Sequence, residues 1–518
     1  MTTAVPSPAL RMGTAAGRGT LLAAVLASGM VFLDSTVVNV ALPKLGQDLG
    51  ANVADLQWTV NGYLLMLAAF VLLGGALGDR FGRRRVFLIG VAWFTLASVL
   101  CGLSQGTGWL IGARFLQGAG GALLTPGSLS VLQASFHPDD RGKAIGAWAG
   151  LSGVSTALGP FLGGWLIDAL SWRWIFFLNL PIAVLVVLAT ARWVPESRDE
   201  NASRTQGPGR TRRRFDVAGA LLGALALAGV TYALIDAPAR GFTSASVLIS
   251  ALVGVVAAVA FVLLERRRGD TAMLPTGLFG SRLFSVLNIF TVVVYAALNG
   301  FTFFFAVYLQ NVVEWSAFRT GISLLPMTVL LLIGSARAGA LSARIGPRLL
   351  LTVGPVVAAA GLLLLRGVGP GASYWTDVLP GVLLFGLGLT LVVAPLTASV
   401  LAAVEDRFSG VASGFNNAAS RAGGLLAVAA LPLLVGLSGG GYEQKTELTD
   451  AFRGALAWCA GLLLAGAVLA LVLVHRPPRA APPSQPCHSM PAATPPARRG
   501  GGGGAPGTPS PTGAAAGV

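Results

Sequence analysis

Apolar residues fall along the chain in runs of about 18–25, separated by charged, polar or Gly/Pro-rich breaks, which is the length at which a helix crosses a bilayer. Fourteen such runs can be drawn, at approximately 20–42, 58–78, 86–104, 109–132, 144–167, 174–193, 216–235, 245–264, 284–310, 319–341, 348–366, 376–401, 408–436 and 453–474. None shows the apolar–polar alternation of a membrane β-barrel strand, so the pattern predicts an all-α polytopic membrane protein. Residues 1–19 precede the first span. From about 475 the chain turns to Pro, Ala, Gly and Ser, as in PPRAAPPSQP and RRGGGGGAPGTP, which is the composition of a disordered tail (475–518).

One position breaks the pattern. Asp34 stands inside the run from Leu21 to Leu42, which holds no other ionisable side chain. A carboxylate near the centre of a membrane helix costs about 2.5–3.5 kcal/mol on insertion scales, so such acids usually face a cavity and serve a function. The alternative is a structural acid satisfied by a neighbouring helix.

Composition agrees with a membrane protein: 518 residues, 54% hydrophobic, 11% charged, mean hydropathy +0.73. The net charge of +15 has to be placed loop by loop. With the N-terminus inside, cytoplasmic segments hold about 25 of the 36 Lys and Arg and external ones about 7, carried by Arg80–Arg85, Arg210–Arg214, Arg266–Arg268 and the tail. Both termini are then expected on the cytoplasmic side of the cell membrane. The basic patches read as topology signals and contacts with anionic lipid rather than with nucleic acid. Cys101, Cys459 and Cys487 form no disulfide or metal pattern. The first apolar run is longer than a secretory signal core and carries Asp34, so an uncleaved first helix is expected.

The chain also repeats itself. GALGDRFGRR at Gly75–Arg84 matches GALSARIGPR at Gly339–Arg348 at six of ten positions, and Gly142, Ala144 and Gly146 recur as Gly410, Ala412 and Gly414. Both pairs fall at corresponding places in two six-helix halves, 20–193 and 284–474. The segment 194–283 is left as a linker with two extra transmembrane helices. Two parallel six-helix bundles around a central site suit an alternating-access carrier.

Several motifs in order carry a resemblance. LDSTVVNVALP at Leu33–Pro43, GGALGDRFGRRR at Gly74–Arg85, RFLQGAGGA at Arg114–Ala122 and the span-five pattern Gly146, Gly159, Pro160, Gly163, Gly164 are similar to motifs of the major facilitator superfamily, and within it of the fourteen-helix drug:proton antiporters. The resemblance covers about 20–474. It implies the major-facilitator fold, with Asp34 as the coupling acid and the span-five pattern as the mark of exporters. Gly75, Asp79, Arg80, Gly82 and Arg83 correspond to a conformational latch against the opposite half. Ala343 stands where Asp79 stands in the first copy, so the second latch lacks its acid, and Ser155 stands where the antiporter motif usually has Gly. WRWIFFLNLP at Trp172–Pro181 also looks like this branch, and its Trp pair is assigned to the membrane interface.

Arithmetic brings two of these residues together. At 1.5 Å per residue, Asp34 lies about 12 Å from the outer end of span one and Arg114 about 8 Å from that of antiparallel span four. Arg114 and Asp34 are therefore expected on one aqueous cavity, with Gln117 one turn deeper. The alternative for Arg114 is a structural ligand of backbone carbonyls. A nearby Arg lowers the Asp pKa and burial raises it; the sequence leaves that balance open. Asn39, Gln117, Asn288, Asn299, Asn416, Asn417 and Arg421 are the polar candidates for the cavity wall.

No Walker loop, metal-ligand cluster or nucleophile triad emerges, so the expectation is a non-enzyme without metal or cofactor, driven by an ion gradient. The expected activity is proton-coupled efflux of small hydrophobic or monocationic compounds such as drugs, dyes or antibiotics, by a protein functional as a monomer. Its partners are the small-molecule substrate, protons and membrane lipids. With one deep acid, exchange of a proton for a neutral molecule uses the membrane potential, about 2.3 kcal/mol per 100 mV, and the pH term, about 1.36 kcal/mol per unit. A monocation uses only the pH term, and dications are expected to be handled poorly. The rival readings are a proton-linked uptake symporter and a non-transporting membrane sensor.

Overall fold

The computed structural model describes residues 10–197, 216–269, 276–405, 408–439 and 441–474, apart from the side chains of Asp79, Ala157, Thr276, Ser409 and Glu443. The tail and, within the linker between the halves, residues 198–215 and 270–275 lie outside these residues, so the expectations placed there are not addressed. The first half comprises α1 (Ala15–Leu49), α2 (Val53–Phe81), α3 (Arg83–Gly102), α4 (Thr107–Ser135), α5 (Pro138–Ala169), the single turn α6 (Trp174–Phe177) and α7 (Asn179–Trp193). Two helices follow, α8 (Val217–Arg240) and α9 (Ala245–Arg268). The second half comprises α10 (Arg282–Asn311), α11 (Ala317–Ser323), α12 (Leu325–Ile345), α13 (Pro347–Leu365), α14 (Leu379–Ala402), α15 (Ser409–Leu434) and α16 (Lys445–Leu473).

With α6–α7 and α11–α12 each counted as one crossing, the expected fourteen spans are all present as helices. Among the described residues, 13 helices are long and apolar enough to cross a membrane. The remaining one, α4, has 29 residues but is diluted by Arg114, Gln117 and several glycines. Helices run beyond the apolar cores at both ends, α1 reaching 35 residues, because caps and polar turns extend them past the hydrocarbon. Asn52 and Asp55 form a capping box at the start of α2.

The repeat has a structural counterpart. Gly82 (φ 106°) ends α2 and starts α3, and Gly346 (φ 90°) does the same between α12 and α13. Positive φ at both corners requires glycine. Next to these corners Arg84 Nη2 donates to the Ala191 carbonyl on α7, and Arg348 Nε to the Leu471 carbonyl on α16, so each half ties its sixth crossing to its second turn. Ala144 and Ala412, the centres of the second echo, are both fully buried.

The face bearing Arg83–Arg85 and Arg266–Arg268 is termed the basic face, and the opposite one the far face. In the first half α4 packs on α2, α3 and α1, and α1 on α5 and α7; in the second, α14 packs on α12 and α13, and α10 on α15 and α16. The halves meet along α2–α15, α5–α11 and α1–α10. Their described hydrogen bonds are at the far-face ends. Gln57 Nε2 donates to the Val428 and Ala429 carbonyls, Gln310 to Val40, and the Tyr442 hydroxyl to Ala51, while the Ala317 and Phe318 amides donate to Asp168. Toward the basic face the surroundings of α5 open: a Cβ on Gly142, Gly146, Gly150 or Gly153 would meet nothing within 4 Å. The inserted helix α8 lies against α2 and α15, and α9 packs on α8.

One expectation is corrected here. Trp172 is not an interface anchor: it is fully buried and its indole donates to Asp48 at 3.0 Å, so only Trp174 is exposed. The described side-chain contacts of Arg84 and Arg85 run to Ala191 and Glu196 of their own half and do not bear on the expected latch of Asp79 and Arg83. The Asp79 side chain, the acid of the expected latch, lies outside the described residues.

Candidate functional site

The acid of α1 and the arginine of α4 meet inside the first half. Arg114 Nη1 donates to Asp34 Oδ2 at 2.6 Å, and Gln117 Nε2 donates to Asp34 Oδ1 at 2.8 Å. Arg114 Nη1 also reaches Gln117 Oε1 at 2.7 Å, and its Nε donates to the Thr59 carbonyl at 3.0 Å. The i, i+3 spacing of Arg114 and Gln117 on α4 aims both at α1. Behind the pair, Gln117 Nε2 donates to Ser98 Oγ, which also receives Asn179 Nδ2. The guanidinium lies 4.3 Å from the Tyr63 ring centroid, a cation–π contact.

Asp34 and Arg114 are 0% and 1% exposed. The expectation that both face an aqueous cavity does not hold in this conformation: they lie inside the bundle of α1, α2, α3, α4 and α7. The reason is satisfaction. Each carboxylate oxygen has a donor, and a buried carboxylate is tolerated only with a close cation and filled lone pairs; removing one partner of such a pair costs about 3–5 kcal/mol. Ser98, Thr59, Tyr63 and Asn179 were not singled out from sequence. A serine or asparagine in an apolar helix carries no sign of its partner, although Asn179 lay within a motif already noted.

The cavity candidates divide into three groups. Gln117 belongs to the buried pair. Asn39 is buried and donates to Ser35 of its own helix. Asn416 Nδ2 donates to Asn288 Oδ1 at 3.1 Å and Thr291 Oγ1 at 2.7 Å, so the two asparagines join α10 to α15; Asn288 is buried and Asn416 remains partly exposed. Asn299, Asn417 and Arg421 remain partly exposed. Arg421 has its guanidinium 5.8 Å from the ring centroid of Phe32 on α1, and its Nε is buried without a hydrogen-bond partner.

The span-five glycines work by close approach. A Cβ at Gly159 would lie 2.0 Å from Thr36 Oγ1, at Gly163 2.0 Å from Val37 Cγ2, and at Gly164 2.5 Å from the Ala317 carbonyl oxygen. Gly159 and Gly163 thus seat α5 on α1, and Gly164 seats it on α11, where Gly321 in turn abuts the Pro160 carbonyl. Gly146 touches nothing. Ser155, standing where Gly was expected, faces Gly29 of α1, so the small residue is on the partner helix.

A family model described as "Major Facilitator Superfamily" matches residues 24–428. A tetracenomycin C resistance and export protein from Streptomyces glaucescens is 36% identical over 80% of this chain and 75% of its own. A puromycin resistance protein from Streptomyces alboniger is 35% identical over 87% of this chain and 90% of its own. Among solved structures, a bacterial homolog of the lysosomal transporter Spinster shares the fold with TM-score 0.63 at 16% identity, covering 89% of this chain and 97% of that one.

Proposed function

The chain belongs to the major facilitator superfamily, and on that premise we propose that it exports small, largely hydrophobic organic compounds across the cytoplasmic membrane in exchange for protons. The observation that carries the reading is the fully buried Asp34–Arg114 pair, held by Gln117, in a protein whose relatives are antibiotic resistance and export proteins. The basic face is taken as cytoplasmic, so this conformation, fastened at the far face and open around α5, is the inward-open one.

In the cycle, Asp34 is ionised and paired while the cleft opens inward. After the halves rock outward, water reaches the carboxyl, a proton neutralises it, and the compound leaves. Neutral Asp34 no longer balances Arg114, whose charge then rests on Gln117 Oε1, the Thr59 carbonyl and the Tyr63 ring. On return to the inward state the carboxyl first meets water from the cytoplasmic side and gives up its proton there, and the pair with Arg114 then closes. Burial thus follows proton release: the carboxyl has to meet water from each side in turn and is dry only once its pair has formed.

The test is proton-linked flux in everted membrane vesicles, with infrared difference spectroscopy of the carboxyl band and Asp34→Asn as control. Export predicts dye accumulation in the vesicles coupled to proton release. Flux in the opposite sense would make the protein an uptake symporter, and a carboxyl that never exchanges with water would remove Asp34 from the coupling.

A further inference from the structure

We propose that Arg421 receives an ionised acidic group of the exported compound, so that the substrates are amphiphilic organic acids bearing a carboxylate or ionised phenol. This rests on the export reading and narrows it, turning away from the monocations that the sequence alone allowed.

The inference starts from the charges held away from the membrane surfaces. At least seven residues from either end of their helices there are five: Asp34, Arg114, Arg337, Arg421 and Arg453. The single acid is already engaged by Arg114 and Gln117. The first half is thereby neutral at its centre, and the surplus positive charge sits on α12, α15 and α16 of the second. Among the described residues no carboxylate lies within ion-pair distance of Arg421, and its one described contact is the Phe32 ring. A guanidinium at this depth is costly unless something pairs with it.

Its placement suits a visiting partner. A Cβ on Gly414 would meet Leu72 of α2, and Arg421 follows two turns later on the same face of α15, so it points at the first half across the seam. Asn417 lies one turn toward the basic face, Asn299 and Tyr295 stand on neighbouring α10, and all are partly exposed. Gly424 brings α15 against the Asn299 amide. Arg421 thus stands beside an aromatic ring, with the partly exposed Asn417 on its own helix and Asn299 on the neighbouring one. A planar guanidinium matches a carboxylate with two parallel hydrogen bonds, and the ring offers an apolar surface for the rest of the molecule.

Charge movement points the same way. A proton moving in and an anion moving out both run down the electrical gradient, so one deep acid suffices to drive the exchange. A monocation gains nothing from that gradient and meets Arg421 as a like charge.

The test uses two dyes on one xanthene scaffold, anionic fluorescein and cationic rhodamine 6G, titrated by fluorescence anisotropy against the full chain in phosphatidylcholine nanodiscs in chloride-free buffer. The expected result is at least tenfold tighter binding of fluorescein, lost by tenfold or more in Arg421→Gln and partly kept in Arg421→Lys. Thermal stability of Arg421→Gln should equal or exceed that of the parent, because no carboxylate among the described residues pairs with the side chain; a clear drop would mark a structural role and overturn the inference. Equal or absent binding of fluorescein, or binding untouched by Arg421→Gln, overturns the inference. Displacement of fluorescein by phosphatidylglycerol, with no proton-linked fluorescein flux, would assign the site to a lipid headgroup and also overturn it. Rhodamine 6G efflux without fluorescein binding defeats the acid inference and leaves export standing; Arg421-dependent binding without flux of any dye defeats export instead.

Discussion

Arg114 and Asp34 form a 2.6 Å ion pair between α4 and α1, with both side chains closed off from solvent. An ion pair at this depth is a poor source of stability, since desolvation offsets most of the attraction. Its retention makes sense if the charge on Asp34 has to come and go.

Asp34→Asn is expected to abolish proton-linked efflux, by at least tenfold, while the protein still reaches the membrane. The amide keeps an acceptor for Arg114, so the loss of stability stays below the roughly 3–5 kcal/mol of a broken buried pair. Dye efflux in a hypersensitive host, normalised to membrane protein level, checks this. Normal efflux would place the coupling elsewhere.

Arg114→Gln is the harsher change, because it leaves a buried carboxylate with only Gln117 as donor. A destabilisation of about 3–5 kcal/mol is expected, read as a fall in melting temperature in detergent. The double variant Asp34→Asn/Arg114→Gln should recover most of that stability and none of the transport. A double variant as unstable as the single one would mean that the pair is not what holds α1 to α4.

At the far face, Gln57→Leu removes two hydrogen bonds to α15 that close the seam between the halves. At about 0.5–1.5 kcal/mol each, the equilibrium should move about five- to a hundredfold toward the state open at that face. Spin-label distances between the far-face ends of α2 and α15 should lengthen. Unchanged distances would show that Gln57 does not set the balance.

Gly164→Val tests the same closure from α5. The added side chain has no room against the Ala317 and Phe318 backbone, so α5 and α11 have to part. Expected are greater labelling of far-face cysteines and a transport defect with near-normal expression. Gly146→Ala, in open space, should be silent in both assays.

One pH effect belongs to the inserted pair. Asp216, which caps α8, is pushed up by burial, but hydrogen bonds from Arg268 and the Gly219 amide outweigh this and hold it below the usual aspartate range, with Glu265 also adjacent. A carboxyl with a lowered folded pKa contributes stability in full above its ordinary value of 3.8 and loses it as the pH falls below that. Docking of α8 on α9 should therefore weaken only in acid, and Asp216→Asn should flatten that dependence. Hydrogen exchange of the Gly219 amide against pH reads it out.

Much of this architecture was legible because a bilayer enforces a single period. Fourteen apolar runs became fourteen crossings, and the twin corners at Gly82 and Gly346 followed from a repeated glycine that positive φ demands. The meeting of Asp34 with Arg114 was legible too, since two antiparallel helices share a depth scale. Which way the pair faces was not. Depth is one coordinate, and rotation about the helix axis is set by partners such as Ser98 and Thr59 that leave no trace in composition. For the same reason the sequence does not show that Asn288 and Asn416 bond each other between α10 and α15. Trp172 resembled an interface anchor until Asp48 supplied its acceptor.

The guanidinium ties of Arg84 to Ala191 and Arg348 to Leu471 bear on how the molecule moves. Each acts as a hasp, joining the last crossing of a bundle to its first sharp corner, so that neither bundle readily unrolls. On the proposed export cycle, bending is then left to the joints between the bundles, where glycine meets backbone at Gly164 and Gly321, and the protein would swing like a pair of shutters rather than flex like a sheet.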